Sequence, residues 1–190
     1  MSEDHQSDEE MDRIYKFIGN YIVLFQIIES YLDECIRYLS ETDFHIHKSI
    51  VSKLNYRDKI ELIRTMISSK QLRNSDQYFD DISLKKHRKT LKECSEEAAC
   101  RTRIVHSFYL FEPLEFGEPA IRTKIKFQKH KLVGDNETLD DQAMAEHLSR
   151  IAKLSLKAHL LKMRCFHHWC ETPIKISDYI DNEMRANLGS

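Results

Sequence analysis

The chain has 190 residues, of which 41% are hydrophobic and 32% are charged, and its formal net charge is −2. This balance fits a single globular domain over residues 1–190 and excludes a chain that is basic throughout, as many nucleic-acid-binding proteins are. Four Gly and three Pro residues are too few for many short strands joined by turns, so we expect long helices.

The N-terminus and the cysteines indicate a cytoplasmic protein. Residues 1–12 carry six acidic side chains and no Lys or Arg, the opposite of a signal peptide, and whether the acidic residues 1–8 are ordered stays open. No run approaches the roughly 18 apolar residues that span a bilayer, so we expect no membrane partner. The five cysteines are odd in number and scattered, which does not fit a disulfide framework.

Apolar residues at spacings of three and four predict four helices in the first part of the chain, over residues 9–40, 44–53, 56–69 and 77–103. Asp43 and Asn55 stand immediately before the second and third of these helices. Side chains of this type accept hydrogen bonds from the free amides of a first helical turn. We therefore predict that both residues are N-caps.

A strand with one basic, solvent-facing side is predicted over residues 121–127, where apolar or Thr residues alternate with basic ones. We expect its partner over residues 109–116, joined through residues 117–119. The basic residues of this region are Arg122, Lys124, Lys126, Lys129 and Lys131. A solvated, charged face that discourages edge pairing is the preferred interpretation, and contact with RNA phosphates is the alternative.

The extended segment is predicted to end at residues 134–136, where Gly, Asp and Asn follow one another. Thr138 is then the predicted N-cap of a helix that continues to about Cys170, and a short helix over residues 177–187 follows it. The predicted fold class is all-α, a bundle of about five helices with a small β-hairpin insertion around residues 109–131.

Arg101 and His106, at the predicted end of a long helix, are the residue pair that could carry chemistry. RNA cleavage needs a base for the ribose 2′-hydroxyl proton and an acid for the departing 5′-oxygen, and histidine, with a pKa of about 6.5, serves as either. A guanidinium stabilises the negative charge that gathers on the phosphorus oxygens. This chemistry needs neither a metal nor another cofactor.

The five-residue spacing constrains how Arg101 and His106 can meet. On a continuous helix their side chains point about 140° apart. Either the helix ends between them, as the β-branched pair Ile104 and Val105 suggests, or a two-fold dimer combines residues from two chains. Arg103 is a rival partner, because it lies three residues from His106 and shares its face.

The run from Arg101 to His106 resembles the motif of HEPN proteins of prokaryotic toxin and antiviral systems, in which an Arg, a polar residue and, a few positions later, a His lie near the end of a bundle helix. Thr102 stands at the polar position, where Asn, Asp or His is more typical. The resemblance implies a homodimeric, metal-independent endoribonuclease, with Arg101 and His106 as catalytic residues and an antitoxin or regulatory protein as its partner. In one subgroup a Tyr two residues after the His is modified, and here that position is Phe108, followed by Tyr109.

Other interpretations stay open for these residues. Arg101 could be a cation near the negative end of a helix, and His106 could bind a loop carbonyl. A non-catalytic helical interaction module is the alternative function, and a bundle that binds a nucleotide or small ligand is a third. Two Cys and two His residues between Cys165 and Cys170 lack the Cys-x2-Cys pairs of a structural zinc site, so we expect a buried helix face and no metal there.

Overall fold

The structure is a computed structural model, and it describes residues 3–40, 42–73, 81–110, 120–128 and 131–170. Five helices and three strands follow one another: α1 (Glu3–Ser40), α2 (Phe44–Val51), α3 (Tyr56–Arg73), α4 (Asp81–Val105), β1 (Phe108–Leu110), β2 (Ile121–Gln128), β3 (Lys131–Thr138) and α5 (Asp141–Cys170). The predicted all-α bundle with a small β insertion before the last long helix is confirmed. None of the helices within the described ranges is long and apolar enough to cross a membrane.

The chain divides into two compact units. Unit 1 comprises residues 1–28 and 93–156, and unit 2 comprises residues 29–92 and 157–190. Three helices, α1, α4 and α5, contribute a segment to each unit.

The predicted apolar stripe of α1 is buried in both units. Its buried members are Ile14, Phe17, Tyr21, Phe25, Ile28, Leu32, Cys35, Ile36 and Leu39, whereas Ile18 and Ile22 are half-buried. The helix begins at Glu3, so residues 3–8 of the acidic segment belong to its first turns. Burying such a stripe, rather than helix propensity alone, stabilises a long helix against its neighbours.

Both predicted caps in unit 2 are confirmed. The Asp43 carboxylate accepts a hydrogen bond from the amide of His45 at 2.8 Å. The Asn55 side chain accepts from the amides of Arg57 and Asp58, each at 3.0 Å. These bonds satisfy amides that have no partner inside the helix and so fix where α2 and α3 begin.

The β insertion in unit 1 is a three-stranded antiparallel sheet in the order β1-β2-β3. Ile121 of β2 lies opposite Leu110 of β1 and opposite Thr138 of β3. The predicted strand over residues 121–127 and the start of its partner are therefore confirmed. Residues 111–119, which hold the rest of the predicted partner and its connection, lie outside the described residues, as does the predicted terminal helix over 177–187.

Two predictions about the chain after β2 are wrong. The extended segment does not end at residues 134–136, because β3 pairs with β2 along its whole length and places Gly134 opposite Ile125. Pairing along the open edge of β2 overrides the local turn preference of Gly, Asp and Asn. Thr138 is the last residue of β3 and not a cap; the Asp140 side chain caps α5 by accepting from the amide of Ala143 at 2.7 Å.

Candidate active site at the end of the fourth helix

Arg101 lies four residues before the end of α4, which ends at Val105, one residue before His106. The amide of His106 still donates to the carbonyl of Thr102 at 3.1 Å, which is the hydrogen-bond spacing of an α-helix. The end of the helix therefore does not redirect the backbone before His106. With this spacing, Arg101 and His106 of one chain lie on different sides of α4, about 140° apart.

Arg101 is half-buried, and its guanidinium carbon lies 5.5 Å from the centre of the Phe25 ring. Phe25 is itself buried on α1. A cation over an aromatic face is attracted to it by about 0.5 to 1 kcal/mol at a partly exposed position. This contact limits the orientations of the guanidinium while leaving part of it accessible.

His106 is exposed, and the chain around it is held by two side-chain hydroxyls. Ser107 donates to the carbonyl of Arg103, and Tyr109 donates to the carbonyl of Ile104. Both carbonyls belong to the last turn of α4, where no further helical amide can reach them. Burial raises the pKa of Tyr109 to about 12, so this phenol keeps its proton near neutral pH.

Thr102 and Arg103 are both exposed. The Thr102 hydroxyl donates to the carbonyl of Ala98 at 3.0 Å, so it is bound to its own helix. Arg103 and His106 are three residues apart and face within about 60° of each other. Within one chain, Arg103 is therefore the cation that shares a helix face with His106.

The basic residues of the β insertion are described only in part. Arg122 is 5% exposed, so the expectation that it lies on a solvent-facing side of the strand is wrong. Its neighbour Thr123 is also buried, at 8%, which means that the sheet is covered on both sides of β2 at this point. The side chains of Lys124, Lys126 and Lys131, and the whole of Lys129, lie outside the described residues.

A polar cluster that was not predicted from the sequence includes two residues of α4 just before Arg101; four of its five members are buried, whereas Arg150 is exposed. Its members are Tyr21, Glu97, Cys100, His147 and Arg150, all of which belong to unit 1. Arg150 donates through Nε to Glu97 Oε2 at 3.0 Å and through Nη2 to Glu97 Oε1 at 3.1 Å, and Tyr21 donates its hydroxyl proton to the same carboxylate. Glu97 is 4% exposed, so these bonds compensate a carboxylate removed from water.

The second half of the cluster is formed by Cys100 and His147. Arg150 Nη2 lies 2.8 Å from Cys100 Sγ and 2.9 Å from His147 Nδ1, and Sγ and Nδ1 are 3.8 Å apart. Because a guanidinium only donates, His147 Nδ1 accepts from Arg150 and its ring proton lies on Nε2. Burial raises the pKa of the Cys100 thiol, but the positive charge of Arg150, which donates to Sγ through Nη2, favours the thiolate, and the pKa is lowered overall.

The cluster joins α1, α4 and α5 within unit 1. Glu97 and Arg101 are four residues apart, so the carboxylate bound by Arg150 lies one helical turn from the candidate catalytic guanidinium. Burial and the bond to Glu97 raise the pKa of Tyr21, which keeps its donated proton in place. The cluster therefore connects the part of α4 that carries Glu97 and Cys100 to α1 and α5.

The structure brings together no metal site in the part of the chain that it describes: no group of three or more His, Cys, Asp or Glu side chains converges there. In unit 2, Cys165 is fully buried and His168 is 8% exposed, whereas His167 is exposed. Cys165 and His168 thus lie on the buried face of α5, as expected for a helix that packs against its neighbours.

Comparison of the chain with protein-family models, with curated proteins and with solved structures found no match. The class that the fold defines is an all-α bundle with a three-stranded β insertion. The residues at the end of α4 are accordingly the feature of this chain that indicates a function.

Proposed function

We propose that this protein is a metal-independent endoribonuclease of the HEPN type that acts as a homodimer, in the role of a toxin or antiviral defence effector. The observation that carries the proposal is the end of α4, which carries an exposed His106 and, five residues earlier, a half-buried Arg101 held over Phe25. An imidazole in contact with solvent can exchange protons with a substrate, and a restrained guanidinium can meet a phosphate without first being ordered.

The reaction uses the 2′-hydroxyl of the substrate RNA as the nucleophile. His106 takes the 2′-hydroxyl proton, the 2′-oxygen forms a bond to phosphorus, and the bond from phosphorus to the 5′-oxygen breaks. His106, now an imidazolium, donates the proton that it took to the departing 5′-oxygen, and Arg101 stabilises the charge on the phosphorane oxygens. The products carry a 2′,3′-cyclic phosphate and a 5′-hydroxyl.

The helical spacing supports a site assembled from two copies. Since Arg101 and His106 of one chain face about 140° apart, one copy supplies the guanidinium and the second copy supplies the imidazole of each site. Unit 1 also exposes three large apolar side chains, Tyr15 at 59%, Val23 at 54% and Leu156 at 62%. Each of them can contribute to a contact with a second protein molecule.

The test is incubation of the purified protein with RNA in EDTA, followed by identification of the fragment ends. We expect cyclic phosphate ends, and a loss of cleavage of about 100-fold or more in His106→Ala and in Arg101→Ala. His45 and Arg57 are exposed on α2 and α3, so His45→Ala and Arg57→Ala are matched controls that should cleave like the wild type. Unchanged cleavage in both site variants would show that the site is wrongly assigned.

A non-catalytic interaction module is the second candidate function. It is favoured by the exposed apolar side chains of unit 1 and by Thr102, whose hydroxyl binds its own helix. Induced expression separates the two functions. A growth arrest that His106→Ala abolishes supports the enzyme, whereas harmless expression of the wild type supports the module.

A further inference from the structure

A cavity of about 560 Å³ lies between α3 and α4 in unit 2. Its described lining comes from one face of each helix: Arg64, Ile67 and Ser68 on α3, and His87, Arg88, Leu91 and Lys92 on α4. The volume falls within the range of about 300 to 1,000 Å³ that is usual for sites that accommodate small molecules or single side groups. No residue of the candidate active site belongs to this lining.

The charged residues in the described lining of the cavity are all basic. These three residues are Arg64, Arg88 and Lys92, and no acidic residue is among the described lining. Arg64 forms an ion pair with Glu61 at 2.7 Å, whereas Arg88 has no ion pair or hydrogen bond within the ranges that the structure describes. Like charges gathered in one concave place repel one another unless an anion neutralises them.

The floor of the same cavity is apolar. Ile67 is 3% exposed and Leu91 is 1% exposed, so both side chains form part of the core of unit 2 and present only an edge to the cavity. Ser68, beside Ile67, adds a hydroxyl that can bind a phosphate or sugar oxygen. The basic side chains can bind anionic groups of a ligand, and the apolar floor can contact flat, weakly polar rings of the same ligand.

From this arrangement we infer that the cavity is a docking site for single-stranded RNA, in which Arg64, Arg88 and Lys92 bind backbone phosphates and one base enters above Ile67 and Leu91. The inference rests on the proposed function only for the identity of the nucleic acid. Proteins that hold single strands without sequence preference combine a basic groove with aromatic side chains on which bases stack. In this cavity the edges of Ile67 and Leu91 take the place of the aromatic side chains. The site thus binds substrate in unit 2, separately from the residues that cleave it.

The experiment measures binding rather than cleavage, so that its failure and that of the proposed function are distinguishable. A labelled single-stranded RNA of about 12 nucleotides is titrated with the His106→Ala protein in EDTA, and fluorescence anisotropy is followed at several salt concentrations. Arg64→Ala combined with Arg88→Ala should weaken binding by about tenfold or more. The slope of log K against log salt concentration should become shallower by about 0.7 for each phosphate that the variant no longer binds.

Lys86→Ala is the matched control. Lys86 is exposed on the same helix two residues before Arg88, about 200° around the axis, and is not among the described lining residues. The double variant with Lys in place of both arginines, which keeps both charges, should recover most of the salt slope. Far-UV circular dichroism verifies that each variant is folded.

Equal affinity and equal salt slope in the Ala double variant and Lys86→Ala would overturn the inference, and so would a His106→Ala protein that binds no RNA. Saturation of the cavity by single nucleotides, with no effect of the arginine variants on RNA affinity, would also overturn it. If the double variant binds RNA more weakly and the wild type does not cleave RNA, the docking site is supported and the proposed endoribonuclease function is rejected.

Discussion

Arg150 binds the buried carboxylate of Glu97 through two parallel hydrogen bonds, at 3.0 Å and 3.1 Å, and so joins α5 to α4 in unit 1. The two partners differ in their surroundings, because the Glu97 side chain is 5% exposed and that of Arg150 is 49% exposed. The guanidinium can be hydrated if the pair is broken, whereas the carboxylate cannot. Glu97 is therefore the more sensitive member of the pair.

Glu97→Gln should lower the free energy of unfolding by about 2 kcal/mol, because it removes the charge from hydrogen bonds that Arg150 and Tyr21 donate. Urea denaturation measures this change. Glu96→Gln, at the exposed neighbouring position, should change the free energy of unfolding by less than about 0.5 kcal/mol. Equal stability of the two variants would contradict a role for the cluster in fixing α4.

Cys100 should titrate below the ordinary thiol value, because its pKa is lowered from 9.0. The ultraviolet absorbance of thiolate, measured as wild type minus Cys100→Ser over a pH series, gives the midpoint. Cys170, whose pKa burial raises, provides the comparison through Cys170→Ser. A Cys100 midpoint at or above that of Cys170 would contradict the contact described for Arg150.

The same lowered pKa makes stability depend on pH. Between the folded and unfolded pKa values of Cys100, the unfolded chain holds a proton that the folded chain has released. Relative to Cys100→Ser, the free energy of unfolding of the wild type should therefore rise as the pH increases through this interval towards 9.0. Denaturation midpoints at several pH values test this, and a constant difference between the two proteins would oppose it.

The composite site predicts that two inactive variants rescue each other. When Arg101→Ala and His106→Ala proteins exchange subunits, half of the dimers are mixed, and one of the two sites in each mixed dimer keeps both residues. Cleavage should then recover to about one quarter of the wild-type rate. If each site were formed within one chain, the mixture would stay inactive, and Arg103→Ala would be the next variant to test.

Asp140, rather than Thr138, should stabilise the beginning of α5. Asp140→Ala removes the acceptor for the amide of Ala143 and should cost about 1 kcal/mol of unfolding free energy. Thr138→Ala changes an exposed residue at the end of β3 and should cost less than about 0.5 kcal/mol. Thermal denaturation of both variants decides between the two caps, and a larger loss for Thr138→Ala would favour the assignment made from sequence.

The parts of the fold that were predicted correctly depend on neighbours in sequence. The stripe from Ile14 to Leu39 is a three- and four-residue repeat, and the Asp43 and Asn55 caps bind amides two or three residues away. Each of these relationships is visible in a short window of residues.

The parts of the fold and of the site that were not predicted depend on contacts between residues far apart in sequence. Tyr21 and Glu97 are 76 residues apart, and Glu97 and Arg150 are 53 apart, so no spacing rule connects them. The third strand, β3, exists because β2 offers it an edge, although residues 134–136 prefer turns. For the candidate site, the position of His106 at the helix end was predictable, whereas the contact of Arg101 with Phe25 was not.

The hydrogen bond from the Tyr109 hydroxyl to the Ile104 carbonyl couples the end of α4 to the sheet, because Tyr109 lies in β1 opposite Arg122 of β2. Fraying of the last helical turn must therefore break this hydrogen bond or displace β1, which is paired with β2. Hydrogen exchange should therefore show the amides of this turn and of β1 opening together as one cooperative event, slower than the terminal fraying common in helices. The residues that we propose to act on RNA would then be presented by a helix end that rarely opens.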